Sequence, residues 1–418
     1  MVARPAASGE DCGVTPNSHE LLARLAALPA GEPLMRRLAG EPDIYLVGGG
    51  VRDILLGGQP FDLDLVVEGD PAVVLSQLDG ETVVHDRFGT STASVDGFTY
   101  DVARARRETY PRPGALPEVS PATLEEDLAR RDFTVNAIAL ALGGSGAGEL
   151  RAFPGALEDL NDRRLRVLHD ASFIDDPTRL LRLARYRARL GFEIDDRTLG
   201  LVRQAVGRDA FSTLTGPRIG NELRLLAREQ DPVGALLAVR ELELDTAIDP
   251  EFGLTDEGVA RRALELLPSD GRGDLLVLAL AGRGLGEEAL RGLLDRLGFE
   301  ASDRQVIVAA ATGAQSRAGA LSVAARPSEV ATAASGAPPE LVALAGALGP
   351  DAAARAWLQD LRHVSLVIDG RDLLAAGVPE GPALGRGLDA ALRAKLDGET
   401  RSREEELAVA LRAARAAG

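Results

Sequence analysis

The spacing of apolar residues along the chain changes near residue 155. Before residue 145, short apolar and β-branched runs alternate with polar or acidic residues, as half-buried strands require. Glycine, proline and aspartate separate these runs, which is typical of turns between strands. The pattern therefore predicts a mixed sheet with some helices, and its strands are expected at 44–47, 62–67, 82–84, 92–95 and 99–102.

Beyond residue 155, leucine, alanine and arginine recur at three- and four-residue spacing, which is the period of an amphipathic helix. The fold class is therefore an α/β region followed by an all-α remainder, with helices expected at 180–190, 219–228, 232–242, 259–267 and 274–281. Two segments lack this spacing. Residues 1–18 are predicted to be a disordered leader, and residues 315–340, which contain serine, glycine and proline, a loose connector.

Length and composition restrict the class of protein. The chain has 418 residues, more than a single hydrophobic core usually supports, so we expect two or more domains. One cysteine excludes a disulfide framework. Because neither a long apolar segment nor a signal peptide is found, we expect a cytoplasmic protein with no membrane partner. The net charge of −17 argues against nucleic-acid binding over the whole surface but permits a local basic track.

The first candidate site is a glycine turn followed by paired acids. Gly48 to Gly50 come directly after a predicted strand, and Asp62 and Asp64 lie two residues apart in the next strand. Residues two apart on a strand point to one face, so both carboxylates would lie together and could bind Mg²⁺. Asp101, in a later strand, could complete the site. A solvated acidic pair is the alternative, but the glycine turn just upstream favours a site.

Two further segments combine acids with arginines. Residues 125–137 contain Arg131 within a string that has neither helical nor strand periodicity, and a salt-bridged helix start is the plain alternative. Residues 175–189 carry an arginine stripe on a predicted helix, with Arg179, Arg182 and Arg185 at three-residue spacing after Asp176. Such a stripe is ordinarily a solvated face. Guanidinium groups beside a carboxylate can also offer both donors and acceptors to a nucleobase edge.

Taken in order, these motifs resemble one family. The strings GGxVRD, DxD, RRDFTxNA and DDPTRLLR resemble those of class II tRNA nucleotidyltransferases and bacterial poly(A) polymerases, whose head belongs to the DNA polymerase β superfamily. The resemblance implies a nucleotidyltransferase head at 19–150, followed by an all-α neck, body and tail at 151–230, 231–340 and 341–418. It also implies the addition of C or A from CTP or ATP to the 3′ end of tRNA, with release of pyrophosphate.

The resemblance also implies residue roles. Asp62 and Asp64 would hold Mg²⁺, and Asp101 would be the third catalytic carboxylate. Gly49, Arg52, Arg131, Arg182 and Arg185 match nucleotide-contacting positions. Asp176 and Arg179 match the pair that reads the Watson–Crick edge of the incoming base.

Several alternatives stay open. Many members have glutamate where this chain has Asp175, and residues 215–217 also depart from the family pattern. The enzyme could therefore add CCA, only CC or only A, or make poly(A) tails, and a non-catalytic RNA-binding protein is the most distant alternative. We expect no HD phosphohydrolase domain, leave the oligomeric state open, and expect residues 104–124 to form a mobile loop beside the site.

Overall fold

The computed structural model describes residues 17–60, 62–85 and 89–416, which divide after Leu214 into two compact units. Most of the predicted leader lies outside these residues, although Ser18 already begins the first helix. No helix within the described ranges is long and apolar enough to cross a membrane.

The first unit is built on a seven-stranded sheet with the spatial order β3-β4-β5-β2-β1-β8-β9. The β2–β5 pair is parallel and the other neighbours are antiparallel. All five predicted strands are confirmed. The strands are β1 Ile44–Val47, β2 Leu63–Val67, β3 Glu81–His85, β4 Thr90–Val95, β5 Phe98–Arg104, β6 Arg106–Thr109, β7 Glu118–Pro121, β8 Ile138–Ala141, β9 Leu150–Ala152, β10 Arg164–Leu165 and β11 Glu193–Ile194.

Helices pack against this sheet and follow it along the chain. The central strands β1 and β8 are buried along their whole length, which explains why their sequences are almost continuously apolar. The predicted helix at 180–190 is confirmed as α8. The helices of this unit are α1 Ser18–Ala26, α2 Gly31–Leu38, α3 Gly49–Leu55, α4 Pro71–Leu78, α5 Leu124–Ala129, α6 Ala156–Asn161, α7 Ser172–Asp175, α8 Thr178–Leu190 and α9 Asp196–Gly207.

The segment 104–124 is more regular than its proline and glycine content predicts. Strands β6 and β7 pair as an antiparallel ribbon, so the expectation of a loop without regular structure is wrong. Glu108 in β6 accepts hydrogen bonds from Arg106 and Arg130, which hold the ribbon near α5. Gly114, between the strands, has φ +67° and donates to the carbonyls of Ile174 and Asp175 at 3.2 Å. Pro111, Pro113, Gly114 and Pro117 therefore occupy the connection between the two strands, and Pro121 is the last residue of β7.

The second unit is helical throughout its described residues. The four helices predicted between 219 and 281 are confirmed as α10, α11, α13 and α14. The helices are α10 Gly216–Ala227, α11 Pro232–Glu241, α12 Leu244–Ile248, α13 Glu257–Leu266, α14 Gly273–Ala281, α15 Glu287–Arg296, α16 Ala301–Val323, α17 Pro327–Ala334, α18 Pro339–Ala347, α19 Asp351–Gln359, α20 Gly370–Ala375, α21 Pro382–Leu396 and α22 Arg403–Arg415.

The prediction of a loose connector at 315–340 is wrong, because α16, α17 and the start of α18 cover most of it. Alanine is the best helix former, and several alanines of α16 are buried against neighbouring helices. Pro327 and Pro339 stand in the first turn of α17 and α18, where a missing N–H breaks no helical hydrogen bond. These prolines therefore begin helices and do not interrupt them.

The last three helices enclose a small core of their own that also contains a buried charge. Glu406 is only 1% exposed and accepts hydrogen bonds from Lys395 Nζ at 2.6 Å and from the Val367 amide at 2.8 Å. Burial alone raises the pKa of Glu406, but these two donors outweigh burial and lower it below the usual value. The ionised carboxylate therefore stabilises the junction of α21, α22 and the segment before α20.

Replacing Glu406 tests this contact. Glu406→Gln keeps the shape but removes the charge, so we expect a loss of about 1 to 3 kcal/mol in the free energy of unfolding. Hydrogen exchange of the α21 and α22 amides at pH 7 would localise the loss. The wild-type advantage should shrink as the pH falls through the lowered pKa of Glu406. Exposed Glu404 is the matched control, and an equal effect of Glu404→Gln would contradict the assignment.

Candidate active site

The glycine turn follows the end of β1 and lies beside Arg131 of the segment 125–137. Gly48 has φ +68°, a conformation that favours glycine, and its amide donates to the Ile138 carbonyl. A Cβ atom at this position would lie 2.7 Å from Arg131 Nη1. A side chain at residue 48 would therefore displace Arg131, so the glycine allows the arginine to approach the turn.

Three carboxylates lie on neighbouring strands beside this turn. Asp64 in β2 is in register with Val47 of β1 on one side and with Asp101 of β5 on the other. Asp62 comes two residues before Asp64, just ahead of the first residue of β2. Thr92 Oγ1 in β4 donates to Asp101 Oδ1 at 2.7 Å and so orients that carboxylate. The sheet thus brings together the three acids predicted from the sequence.

These acids oppose each other's ionisation. Loss of water contact raises the pKa of Asp64, Arg131 lowers it, and the charges of Asp101 and Asp62 raise it again, with a net rise. Loss of water contact and the charge of Asp101 also raise the pKa of Asp62, against the influence of Arg189. Burial and the neighbouring carboxylate charges therefore both disfavour the ionised forms of Asp62 and Asp64.

A chain of buried hydrogen bonds connects the three sequence motifs. Arg52 is 1% exposed, and its Nη1 donates to Asn136 Oδ1 at 2.5 Å. Asn136 Nδ2 donates to Asp132 Oδ1 at 2.9 Å, and Asp132 Oδ2 accepts from Arg182 Nε and Nη2 at 2.9 and 2.6 Å. The turn after β1, the segment after α5 and helix α8 therefore meet at Asp132.

Two arginines of the α8 stripe lie inside the protein. Arg179 and Arg185 are 5% and 7% exposed, so the alternative of a solvated face does not hold for them. Arg179 donates to Ser172 Oγ at 2.7 Å and to the Arg130 carbonyl at 2.6 Å. Asp176 Oδ1 accepts from the amide and hydroxyl of Thr178, the first residue of α8. Burial and these contacts give the pair Asp176 and Arg179 a defined position.

Arg131 lies between the acids and the turn. Its Nη2 donates to Asp127 Oδ2 at 3.0 Å, and its Nη1 lies 3.5 Å from the Asn136 carbonyl. Its Nε is buried and has no hydrogen-bond partner within the described part of the chain. A buried donor without a partner is costly, so this nitrogen suits a ligand that brings an acceptor.

Comparison with known proteins agrees with this geometry. Residues 44–166 match the poly A polymerase head domain family. A CC-adding tRNA nucleotidyltransferase from Deinococcus radiodurans is 35% identical over 94% of this chain and 96% of its own length. The chain belongs to the tRNA nucleotidyltransferase family. Its members are nucleotidyltransferases and generally depend on a divalent metal.

Two further matches bear on the extent of this similarity. An A-adding relative from Geobacter sulfurreducens is 34% identical over 90% of this chain, which spans 45% of that relative's length. The chain spans less than two thirds of two other A-adding relatives as well. The Thermotoga maritima CCA-adding enzyme complexed with tRNA superposes with a TM-score of 0.76, at 28% identity over 95% of this chain and 98% of that one.

The predicted residues of this family member all lie in the first unit. Gly49 begins α3, where its Cβ would come within 3.4 Å of Arg52 Nη2. No role was predicted for Asp132, Asn136 or Tyr186, which the structure places among the arginines. Two of them could have been recognised from the sequence, because Asp132 and Asn136 belong to a segment without the regular periodicity of a helix or strand. Tyr186 had a weaker signal as the aromatic residue within the stripe.

The acids of this tRNA nucleotidyltransferase fit a divalent cation in their chemistry. Carboxylate oxygens are the ligands that hard cations prefer. Burial, and then the charge of Asp101, raise the pKa of Asp62 and Asp64, and a bound cation would offset both effects. The side chains are not gathered as a complete set of ligands, since no group of three or more His, Cys, Asp or Glu residues does so within residues 17–60, 62–85 and 89–416.

The raised pKa of Asp64 predicts that this residue lowers stability at neutral pH. An aspartate with a higher pKa in the folded than in the unfolded chain reduces stability as the pH rises from its ordinary pKa through the raised one. Asp64→Asn removes this titration, so the variant should have a higher Tm than the wild type at pH 7. Near pH 3, below the ordinary value of 3.8, the difference should disappear. Thermal unfolding across this pH range measures it.

Exposed Asp162, at the end of α6, provides the control for that comparison. Asp162→Asn should change Tm little between pH 3 and pH 7. A gain for Asp64→Asn that persists unchanged at pH 3 would show that repulsion among the acids is not its cause.

Proposed function

We propose that this chain adds C and A from CTP and ATP to the 3′ end of tRNA without a template and releases pyrophosphate. The observation that carries the proposal is the register of β2 with β5, which places Asp64 directly opposite Asp101. Asp62 lies two residues before Asp64 in the chain. The arginines of α3 and α8 lie in the same unit and supply positive charge for a triphosphate. The similarity to tRNA nucleotidyltransferases over nearly the whole chain supports the same reading.

We assign the metal as Mg²⁺ and its ligands as Asp62 and Asp64. When bound, such an ion lowers the pKa of the RNA 3′ hydroxyl and offsets the charge of the phosphates. Asp101, oriented by Thr92, accepts the proton of that hydroxyl as its oxygen attacks the α-phosphate. Arg131 offers its buried Nε to a phosphate or ribose oxygen, and Gly49 leaves room beside Arg52 for the nucleotide.

Base choice falls to Asp176 and Arg179 in this proposal. A carboxylate accepts from the exocyclic amine that cytosine and adenine share, while a guanidinium donates to a ring nitrogen or carbonyl. Uracil and guanine lack this pattern and would leave buried polar groups unpaired. Arg182 and Arg185, one and two helical turns further along α8, hold the rest of the nucleotide.

The helical remainder is assigned to tRNA. We propose residues 19–150 as the catalytic head, 151–230 as the nucleotide-selecting neck, 231–340 as the body and 341–418 as a tRNA-binding tail. A local arginine-rich track can bind an RNA backbone even in a chain of net charge −17. Since tRNA and free nucleotides are cytoplasmic substrates, a cytoplasmic location follows from the same proposal.

A CC-adding specialist is the second candidate, favoured by the end-to-end similarity to the Deinococcus radiodurans enzyme. Purified protein incubated with tRNAs ending at the discriminator base, at C or at CC, with CTP and ATP alone and together, separates the possibilities. Completion of CCA supports the first proposal, and arrest at CC supports the second. A-only addition or long A tails would indicate the remaining specialists, while no incorporation would contradict an enzymatic function.

The acid site is tested by removing one carboxylate charge at a time. Asp62→Asn or Asp64→Asn takes a ligand from the proposed metal site, so nucleotide addition should fall on the order of 10³-fold or more. Gel-based primer extension measures the loss, and binding of labelled tRNA should persist because the shape hardly changes. Activity within tenfold of wild type for either variant would contradict the assignment.

Arg179 is tested by its effect on selectivity. Arg179→Ala removes a charged donor worth about 1.5 to 3 kcal/mol, so kcat/KM for CTP and ATP should fall about ten- to hundredfold. Discrimination against UTP and GTP should shrink as well. Because Arg179 also donates hydrogen bonds to Ser172 Oγ and the Arg130 carbonyl, the Tm of the variant will fall. The kinetics must therefore be measured well below that Tm.

Arg187→Ala is the matched control, since Arg187 belongs to the same helix but pairs with Glu193 at 3.6 Å. It should leave selectivity unchanged. An equal loss for all four nucleotides in Arg179→Ala would indicate a phosphate clamp and would remove Arg179 from base reading.

A further inference from the structure

One aromatic ring lies at the centre of the arginine cluster. The guanidinium carbons of Arg52, Arg185, Arg182 and Arg189 lie 5.3, 5.4, 5.8 and 5.8 Å from the centroid of the Tyr186 ring. Three of these arginines extend from α8 itself, and Arg52 reaches the ring from α3. All four distances are within the range over which a cation is attracted to an aromatic ring.

The ring itself has a fixed orientation. Tyr186 is 9% exposed, and Phe133, which is fully buried, packs against it edge to face with the centroids 5.7 Å apart and the planes at 80°. Phe133 follows Asp132, the residue that binds Arg182. The hydrogen bonds of Asp132 and the packing of Phe133 thus fix the same face of α8 from two directions.

Guanidinium groups gathered around one ring carry like charges and repel one another. The cluster therefore needs groups that attract cations. Asp132 accepts from Arg182, and Asp53 accepts from Arg52. The negatively charged face of an aromatic ring supplies further attraction without adding a charge that would repel a triphosphate. A tyrosine here can therefore attract guanidinium groups without adding a negative charge to the site.

The arginines gathered by the ring include those the proposed reaction uses. Arg52, Arg182 and Arg185 are nucleotide-binding candidates, and Arg189 extends from the last turn of the same helix as two of them. The ring thus connects nucleotide-binding arginines of α3 and α8.

We propose that Tyr186 is a positioning residue, whose ring holds these four guanidinium groups where a nucleoside triphosphate binds. The inference rests on the proposed function, since it assigns the cluster to the nucleotide of that reaction. Tyr186 does not contact the nucleotide itself but acts by positioning the arginines, and its hydroxyl is not required for this role.

Two substitutions separate the ring from the hydroxyl. Tyr186→Phe keeps the ring and should leave KM for CTP and ATP within twofold of wild type. Tyr186→Leu removes the ring and should raise both KM values about tenfold, with a smaller change in kcat, because binding of the whole nucleotide weakens. Equilibrium binding of CTP without RNA should weaken to the same extent.

Phe211→Leu provides the matched control for loss of a buried aromatic ring. Phe211 is 5% exposed in the same unit, and no guanidinium stands over its ring within the described part of the chain. This variant should lose thermal stability as Tyr186→Leu does, while its KM values stay unchanged. If Tyr186→Leu does not fold, Tyr186→Met takes its place, since methionine fills space without an aromatic face.

The outcomes distinguish this inference from the function on which it rests. Equal KM values for the Phe and Leu variants, or an equal rise in Phe211→Leu, would overturn the role of the ring. If the wild type adds no nucleotide at all, the proposed function fails. The CTP-binding comparison then still decides whether Tyr186 organises the arginines.

Discussion

The carboxylate of Asp132 is buried between the segment that carries Asn136 and the helix that carries Arg182. Burial raises the pKa of an isolated carboxylate, but Arg182 and Asn136 more than offset this effect and hold the pKa of Asp132 well below its usual range. An unpaired charge at this depth costs several kcal/mol, so the fold is most stable when both partners are in place. Arg52 takes its position from Asn136 and thus indirectly from Asp132.

The first unit also keeps its site acids and its site arginines in two separate groups. Acids lie together on β2 and β5, and arginines lie together around Tyr186. Like charges within each group repel one another, and among the acids this repulsion adds to burial in raising the pKa of Asp62 and Asp64. A nucleoside triphosphate bound with a cation would relieve both repulsions at once. The folded chain therefore accepts an electrostatic cost at the site, which the surrounding core of buried strands offsets.

The same separation reconciles an acidic chain with the nucleic-acid substrate proposed for it. A net charge of −17 describes the whole chain, whereas recognition depends on the local field. Paired acidic and basic side chains elsewhere, such as Glu406 with Lys395, contribute to stability and add little to that field. A local excess of positive charge is thus compatible with the composition.

The sequence by itself determined five strands of the seven-stranded sheet, the helical character of the second unit and the residue types of the candidate site, because these depend on local periodicity. Alternation placed Asp62 and Asp64 on one face, and the order of motifs indicated the family. The predictions for residues 315–340 and 104–124 were wrong, because both took proline and glycine as signs of irregular structure. Proline is also found in the first turn of a helix, and proline and glycine can form the short connection between two paired strands. Only the tertiary structure decided that Asp101 stands opposite Asp64, since register depends on strands distant in the chain. Burial of Arg179 and Arg185 likewise required the packing around Asp132, for a helical stripe has the same spacing whether water or protein covers it.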